Sequence, residues 1–293
     1  MKESTYKVSR LILYFFLVSI FLFISGNTGR YFIETQGMNR ETALFLQGIM
    51  FTGLTLAVLY WLKAKNPDLF KNIGLTKADS RTKWFVGAAL PLFLLLSGII
   101  TAALFGGVEN VRLNLTGTIL LAVLINTITA FIYEAFPEEV FIRGLIFSEL
   151  RKKYRFITSL FLQLLLFMCV PLLAMSLAAL FFNQPMQLTI DYFILLFAFG
   201  IALQLYREYT GSLWMSIYYH LMYLEIARYI SGGGVYDPDA ALLEFDEIFG
   251  GFMTLYLSFL FMVLLSIAVL TVLIIIDKKK QNNFQFSISS NNE

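Results

Sequence analysis

Residues 134–147 read EAFPEEVFIRGLIF, and they place Glu134, Glu138, Glu139 and Arg143 inside an otherwise apolar stretch. A charge at the centre of a bilayer costs about 2.5 kcal/mol or more on insertion scales, so a chain that keeps four together is pairing them or using them. Glu139 and Arg143 stand four residues apart with the acid first, the favoured order for a helical ion pair. Glu138 points about 100° away from Glu139 on the same turn and is left free. Pro137 brings no backbone N–H and clashes one turn back, which predicts a kink or a helix restart here. A restart would put Pro137 near the first helical position and both glutamates in the first turn, where the helix dipole favours anions.

The surrounding chain explains why such a cluster is notable. Its 293 residues are 58% hydrophobic and 16% aromatic, and the mean hydropathy is +0.72. This composition predicts an all-α fold, an integral membrane protein with about eight transmembrane helices. The single cysteine, Cys169, excludes an intrachain disulfide. The single histidine, His220, and the lack of an HExxH or CxxC pattern argue against a zinc protease, and neither a metal nor a cofactor is expected. There is no glycine-rich phosphate loop and no basic run interleaved with aromatics, so nucleic acid is not an expected partner.

Working outward, spans are predicted at about 8–28, 42–62, 84–105, from 116 through the charged stretch, 157–182, 190–206, 212–229 and 249–276. The loop 63–83 carries Lys63, Lys65, Lys71, Lys77, Arg81 and Lys83, while the loop 231–248 carries Asp237, Asp239, Glu244, Asp246 and Glu247 and no basic residue. On this arrangement 18 of the 22 Lys and Arg residues fall on one side, leaving Arg30, Arg40, Arg112 and Arg228. The positive-inside rule then predicts a multi-pass protein of the cell membrane with both termini cytoplasmic. Residues 1–280 read as a single transmembrane helical domain, and 281–293, rich in Asn, Ser and Gln, as a disordered cytoplasmic tail.

Glu138 lies ~20 Å of helix from Lys152, and His220 lies ~12 Å from Ser212. Tilt and a kink at Pro137 would bring both to one polar chamber opening toward the cytoplasmic side. A carboxylate there can act as general base on water, and an imidazole can stabilise the oxyanion that forms. Other readings stay open. Glu138, Glu139 and Arg143 can form a purely structural ion-pair network. His220 can bond Ser216 one turn earlier, either as a satisfied polar pair or as a rhomboid-like dyad. Asp237 and Asp239 can form an aspartyl dyad. A transporter would also keep buried charges, but it would show inverted repeats and broken helices.

Two motifs carry a resemblance. Glu138-Glu139, then Arg143 and Gly144, resembles the first motif of the CAAX-protease and bacteriocin-processing family, also called the Abi or type II CAAX endopeptidase family. The run from Tyr206 to His220, YREYTGSLWMSIYYH, is similar to that family's later signature. The resemblance covers about residues 84–229. It implies an intramembrane endopeptidase in which Glu138 activates water without a metal, His220 donates to the oxyanion, and Glu139 with Arg143 is the supporting ion pair. Two further positions depart from the family: Pro171 stands where the second motif would have a histidine, and Leu224 where an Asn or Asp would follow His220. The resemblance therefore implies glutamate-dependent hydrolysis that is weak or absent. The alternative is an inactive member acting as a scaffold, an immunity protein or a regulator. Expected partners are membrane lipids and a membrane-associated peptide or protein.

Overall fold

A computed structural model describes residues 6–186, 188–230, 241–248 and 254–290. The chain is a helical bundle: α1 (Val8–Gln36), α2 (Arg40–Lys65), the single turn α3 (Leu69–Asn72), α4 (Arg81–Leu104), α5 (Gly117–Arg151), α6 (Phe156–Phe182), α7 (Ile190–Thr210), α8 (Leu213–Glu225) and α9, which is wound as a π-helix over Thr254–Leu265 and continues as an α-helix over Ser266–Ser290. Thus α9 runs helical to Ser290, where the sequence reads as a disordered tail from 281. Residues 249–253 of the expected last span lie outside the described residues, as do Asp237 and Asp239 of the aspartyl reading.

Among the described residues, seven helices are long and apolar enough to cross a membrane. The exception is the expected span 212–229. Its α-helical part has 13 residues, ~20 Å against a hydrocarbon core of about 30 Å, and a π-turn at Ile226–Ile230 extends it. Large apolar side chains such as Leu96, Ile100, Ile157, Phe161 and Leu180 stand exposed on the outer helix faces. That would be a liability in water and suits a lipid surround.

Side chains set the helix ends. Asn39, Ser80, Thr116 and Thr189 each cap a helix by accepting from a backbone N–H three residues on. The turn between α7 and α8 depends on Gly211, which has φ +70° and an N–H that bonds Arg207 O. A Cβ there would also meet Asp79 Oδ1 at 2.0 Å. The segment after α3 grips this turn. Leu213 N donates to Gly74 O (2.7 Å), Asp79 N donates to Thr210 O (2.8 Å), and Ser212 Oγ donates to Thr76 O (2.5 Å). The start of α8, and with it His220, is therefore held at a set height.

Two features differ from the sequence reading. First, α5 does not restart at Pro137. Ala135 and Val140, on either side of the proline turn, both keep right-handed helical backbone angles, and they belong to π-wound turns at Phe131–Ala135 and Val140–Ile146 that flank it. Wider winding absorbs the missing N–H and the ring clash that would otherwise break the helix. The expected first-turn dipole site for the glutamates is therefore absent. Second, the expected loops 106–115 and 231–248 contribute an antiparallel pair, β1 (Val108–Leu113) with β2 (Leu243–Glu247). Arg112 sits opposite Glu244, while Asn110 bonds Asp246 and Asn114 bonds Glu244. Asp246 and Glu244 thus each accept a hydrogen bond from an asparagine on or beside the facing strand. The pairing joins segments about 130 residues apart, too far for local sequence to reveal.

Helix α5 occupies the centre. All seven residues of its π-turn 140–146 are buried, the pattern of a helix enclosed on every side. One apolar cluster gathers α1, α2 and α6 around α5, and the other joins α4, α7, α8 and α9. The charged stretch thus lies at the seam between the two halves.

Candidate functional site

Glu139 is fully buried and faces α8 and its own helix. Its Oε1 lies 3.1 Å from Arg143 Nη1, a coulombic pair rather than an aimed hydrogen bond. The same oxygen lies 3.2 Å from His220 Nδ1, and Oε2 accepts from Ser216 Oγ at 2.6 Å. A carboxylate only accepts, so Nδ1 is the protonated nitrogen of this imidazole. Ser216 also reaches Leu203 O at 2.9 Å. The serine therefore bonds Glu139 and α7, not His220, and no Ser216–His220 dyad forms.

Arg143 is fully buried, with its guanidinium carbon 4.1 Å over the ring of Phe167. Gly200 of α7 lies against it. A Cβ there would be 3.3 Å from Arg143 Nη2 and 2.5 Å from Leu164 Cδ2. Glycine is what lets α7 approach the ion pair. The π-turn also makes the carbonyl of Arg143 available, and Arg207 donates to it. Arg207 further donates to Ser148 Oγ (3.0 Å), which in turn bonds Asn72 O (3.0 Å). The sequence reading counts Arg207 only as a charge on the basic side, yet it ties α7 to α5.

Glu138 faces elsewhere. With Glu134, Tyr133, Tyr192 and Pro171 it lines a cavity of about 290 Å³, whose remaining wall is apolar. Val18 and Leu22 of α1, together with Val170 and Leu196, belong to that wall. Among the described residues, no side chain hydrogen-bonds Glu138. His220 does not line the cavity. The shared chamber expected for Glu138 and His220 is therefore not what the structure contains. Consecutive residues on a helix diverge by about 100°, so the neighbour Glu139 takes the imidazole and Glu138 takes the cavity. Nor does the cavity lie toward the basic end. Tyr192 sits in the first turn of α7, remote from Arg207 at the other end of that helix.

Pro171 lies in the cavity wall at the position where the resemblance implies a histidine, and it offers no side-chain donor or acceptor. Leu224 is buried in the apolar core. Next to it, Glu225 begins a polar chain that the sequence reading missed. Glu225 Oε1 accepts from Asn126 Nδ2 (2.6 Å) and Thr127 Oγ1 (3.0 Å), Arg228 bonds Asn126 Oδ1 (3.4 Å), and Arg228 pairs with Glu134 at 2.5 Å. The signal was present as an Asn and a Glu inside apolar spans, but its partners lie about 100 residues apart. Among the described residues, no three His, Cys, Asp or Glu side chains gather as metal ligands.

Residues 119–223 match the family model described as type II CAAX prenyl endopeptidase Rce1-like. The matched segment contains Glu138, Glu139, Arg143, Arg207 and His220. No curated protein and no solved structure matches the chain.

Proposed function

We propose that this multi-pass membrane protein, which carries an Rce1-like domain at 119–223 and so falls with the CAAX-protease family, works chiefly by binding a membrane-associated peptide or protein, with Glu138-dependent hydrolysis slow or absent. One observation carries the reading: Glu138 opens on a cavity that contains Pro171 and no imidazole, while His220 is held by Glu139. In the family the resemblance points to, a carboxylate and a histidine hold the attacking water together. General-base assistance is worth about 10²–10⁴-fold, and one oxyanion donor about 10²–10³-fold. Without an imidazole at the cavity, both contributions fall. The unbroken path of α5 through Pro137 favours this reading over a transporter, which would use discontinuous helices.

The test is direct. Purified protein in liposomes is given a library of membrane peptides, and products are identified by mass spectrometry beside the Glu138→Gln variant. The expected result is no product above the variant's background. Cleavage by the wild type that disappears in Glu138→Gln would overturn the binding reading and make Glu138 the base.

The proposed setting is the cell membrane with both termini cytoplasmic, supported by the 18-to-4 division of basic residues. Reporter fusions in the loop 66–80 and after residue 290 are expected on the cytoplasmic side, and fusions at 241–248 on the other. A tail reported on the outer side would remove this topology.

A further inference from the structure

We infer that the cavity beside Glu138 receives a primary ammonium group carried on a short apolar chain. The inference rests on the binding reading above and supplies its ligand class. Two carboxylates line the cavity, and they differ in their partners. Glu134 is neutralised by Arg228 at 2.5 Å, whereas Glu138 has no bonded side chain among the described residues. No Lys or Arg lines the space. A carboxylate held among apolar walls inside a membrane span requires either a proton or a cation. Among the described residues, the cavity can therefore offer one carboxyl group that no side chain hydrogen-bonds.

The other groups narrow the choice of cation. Tyr133 and Tyr192 line the same space and bring phenol oxygens that can accept. An ammonium has three donors, matching one carboxylate and two phenols. A calcium ion would want six to eight oxygen ligands, and among the described residues no three acidic or imidazole ligands converge. The remaining wall, from Val18 and Leu22 to Val170 and Leu196, is apolar and suits the chain that bears the charge. A volume of about 290 Å³ lies at the lower end of ligand pockets, which run about 300–1,000 Å³. It has room for one small amine or one lysine side chain.

The experiment titrates the purified full chain in detergent with n-hexylammonium and, as the neutral match, hexanol, read by calorimetry and by the shift in unfolding temperature. A second pair of arms separates the two sources of an ammonium: an apolar helical peptide with one central lysine, and the same peptide with leucine there. Saturable binding of hexylammonium over hexanol is expected, together with preference for the lysine peptide if the natural source is a protein partner. Glu138→Gln should weaken amine binding about 10–100-fold, the scale of a charged hydrogen bond. Tyr192→Phe should weaken it less. Val170→Trp, which fills the space but keeps the carboxylate, should abolish it. Equal binding of amine and alcohol overturns the assignment, as does unchanged amine affinity in a folded Glu138→Gln. If Glu138→Gln does not fold, unchanged affinity in both Tyr192→Phe and Val170→Trp overturns it instead. Cleavage of the peptide library would sink the binding-over-hydrolysis reading and leave this titration untouched. A failed titration without cleavage removes the ammonium alone.

Discussion

Glu139→Ala should be the most damaging single substitution in the charged stretch, lowering stability by about 3–5 kcal/mol. The loss is large because Glu139 serves three groups at once. Arg143 Nη1, His220 Nδ1 and Ser216 Oγ all converge on its two oxygens, and all four residues are buried. Truncation would leave an enclosed guanidinium without the carboxylate that lies against it. The adjacent Glu138→Gln should change stability little, because no side chain bonds Glu138. The comparison is a pair of unfolding curves in detergent. A double change, Glu139→Leu with Arg143→Met, should recover much of the loss, since well-packed apolar replacements of buried pairs are often neutral or better. Equal melting of Glu139→Ala and wild type would show that the pair contributes nothing.

Gly200→Leu should be next, costing about 1–3 kcal/mol through overpacking. A Cβ at this position meets Leu164 Cδ2 at 2.5 Å, Arg143 Nη2 at 3.3 Å and Phe167 Cδ1 at 3.4 Å. A leucine adds three more carbons in the same direction, so α7 must retreat from α5 or the stack of Arg143 on Phe167 must open. Gly200→Ala should be milder, because the nearest atom is a methyl that can rotate away. Gly53→Leu on the exposed face of α2 is the control, with nothing within 4 Å of its added Cβ. It should stay within about 0.5 kcal/mol of wild type. If the two leucine variants melt together, close approach at Gly200 is not what joins these helices.

These two sites also show how sequence and tertiary structure divide the determination of this protein. The all-helical membrane class, most of the span positions and the pairing of Glu139 with Arg143 follow from local rules. Runs of about 20 apolar residues must satisfy their own backbone in lipid, and an i,i+4 acid–base pair meets on one helix face. The divergence of Glu138 from Glu139 follows in the same way from 100° per residue. Sequence alone could not say which of the two takes His220. That depends on the side from which α8 approaches α5, and the approach is set by Gly74, Thr76 and Asp79 gripping the Gly211 turn from more than 130 residues away. Nor could it show that Pro137 is carried by π-winding instead of a restart, since enclosure by neighbouring helices stabilises an unbroken path. The role of Gly200, the Glu225–Asn126–Arg228–Glu134 chain and the β1–β2 pair were equally hidden. Each is a contact between distant segments, and its energy exists only after the chain has closed around it.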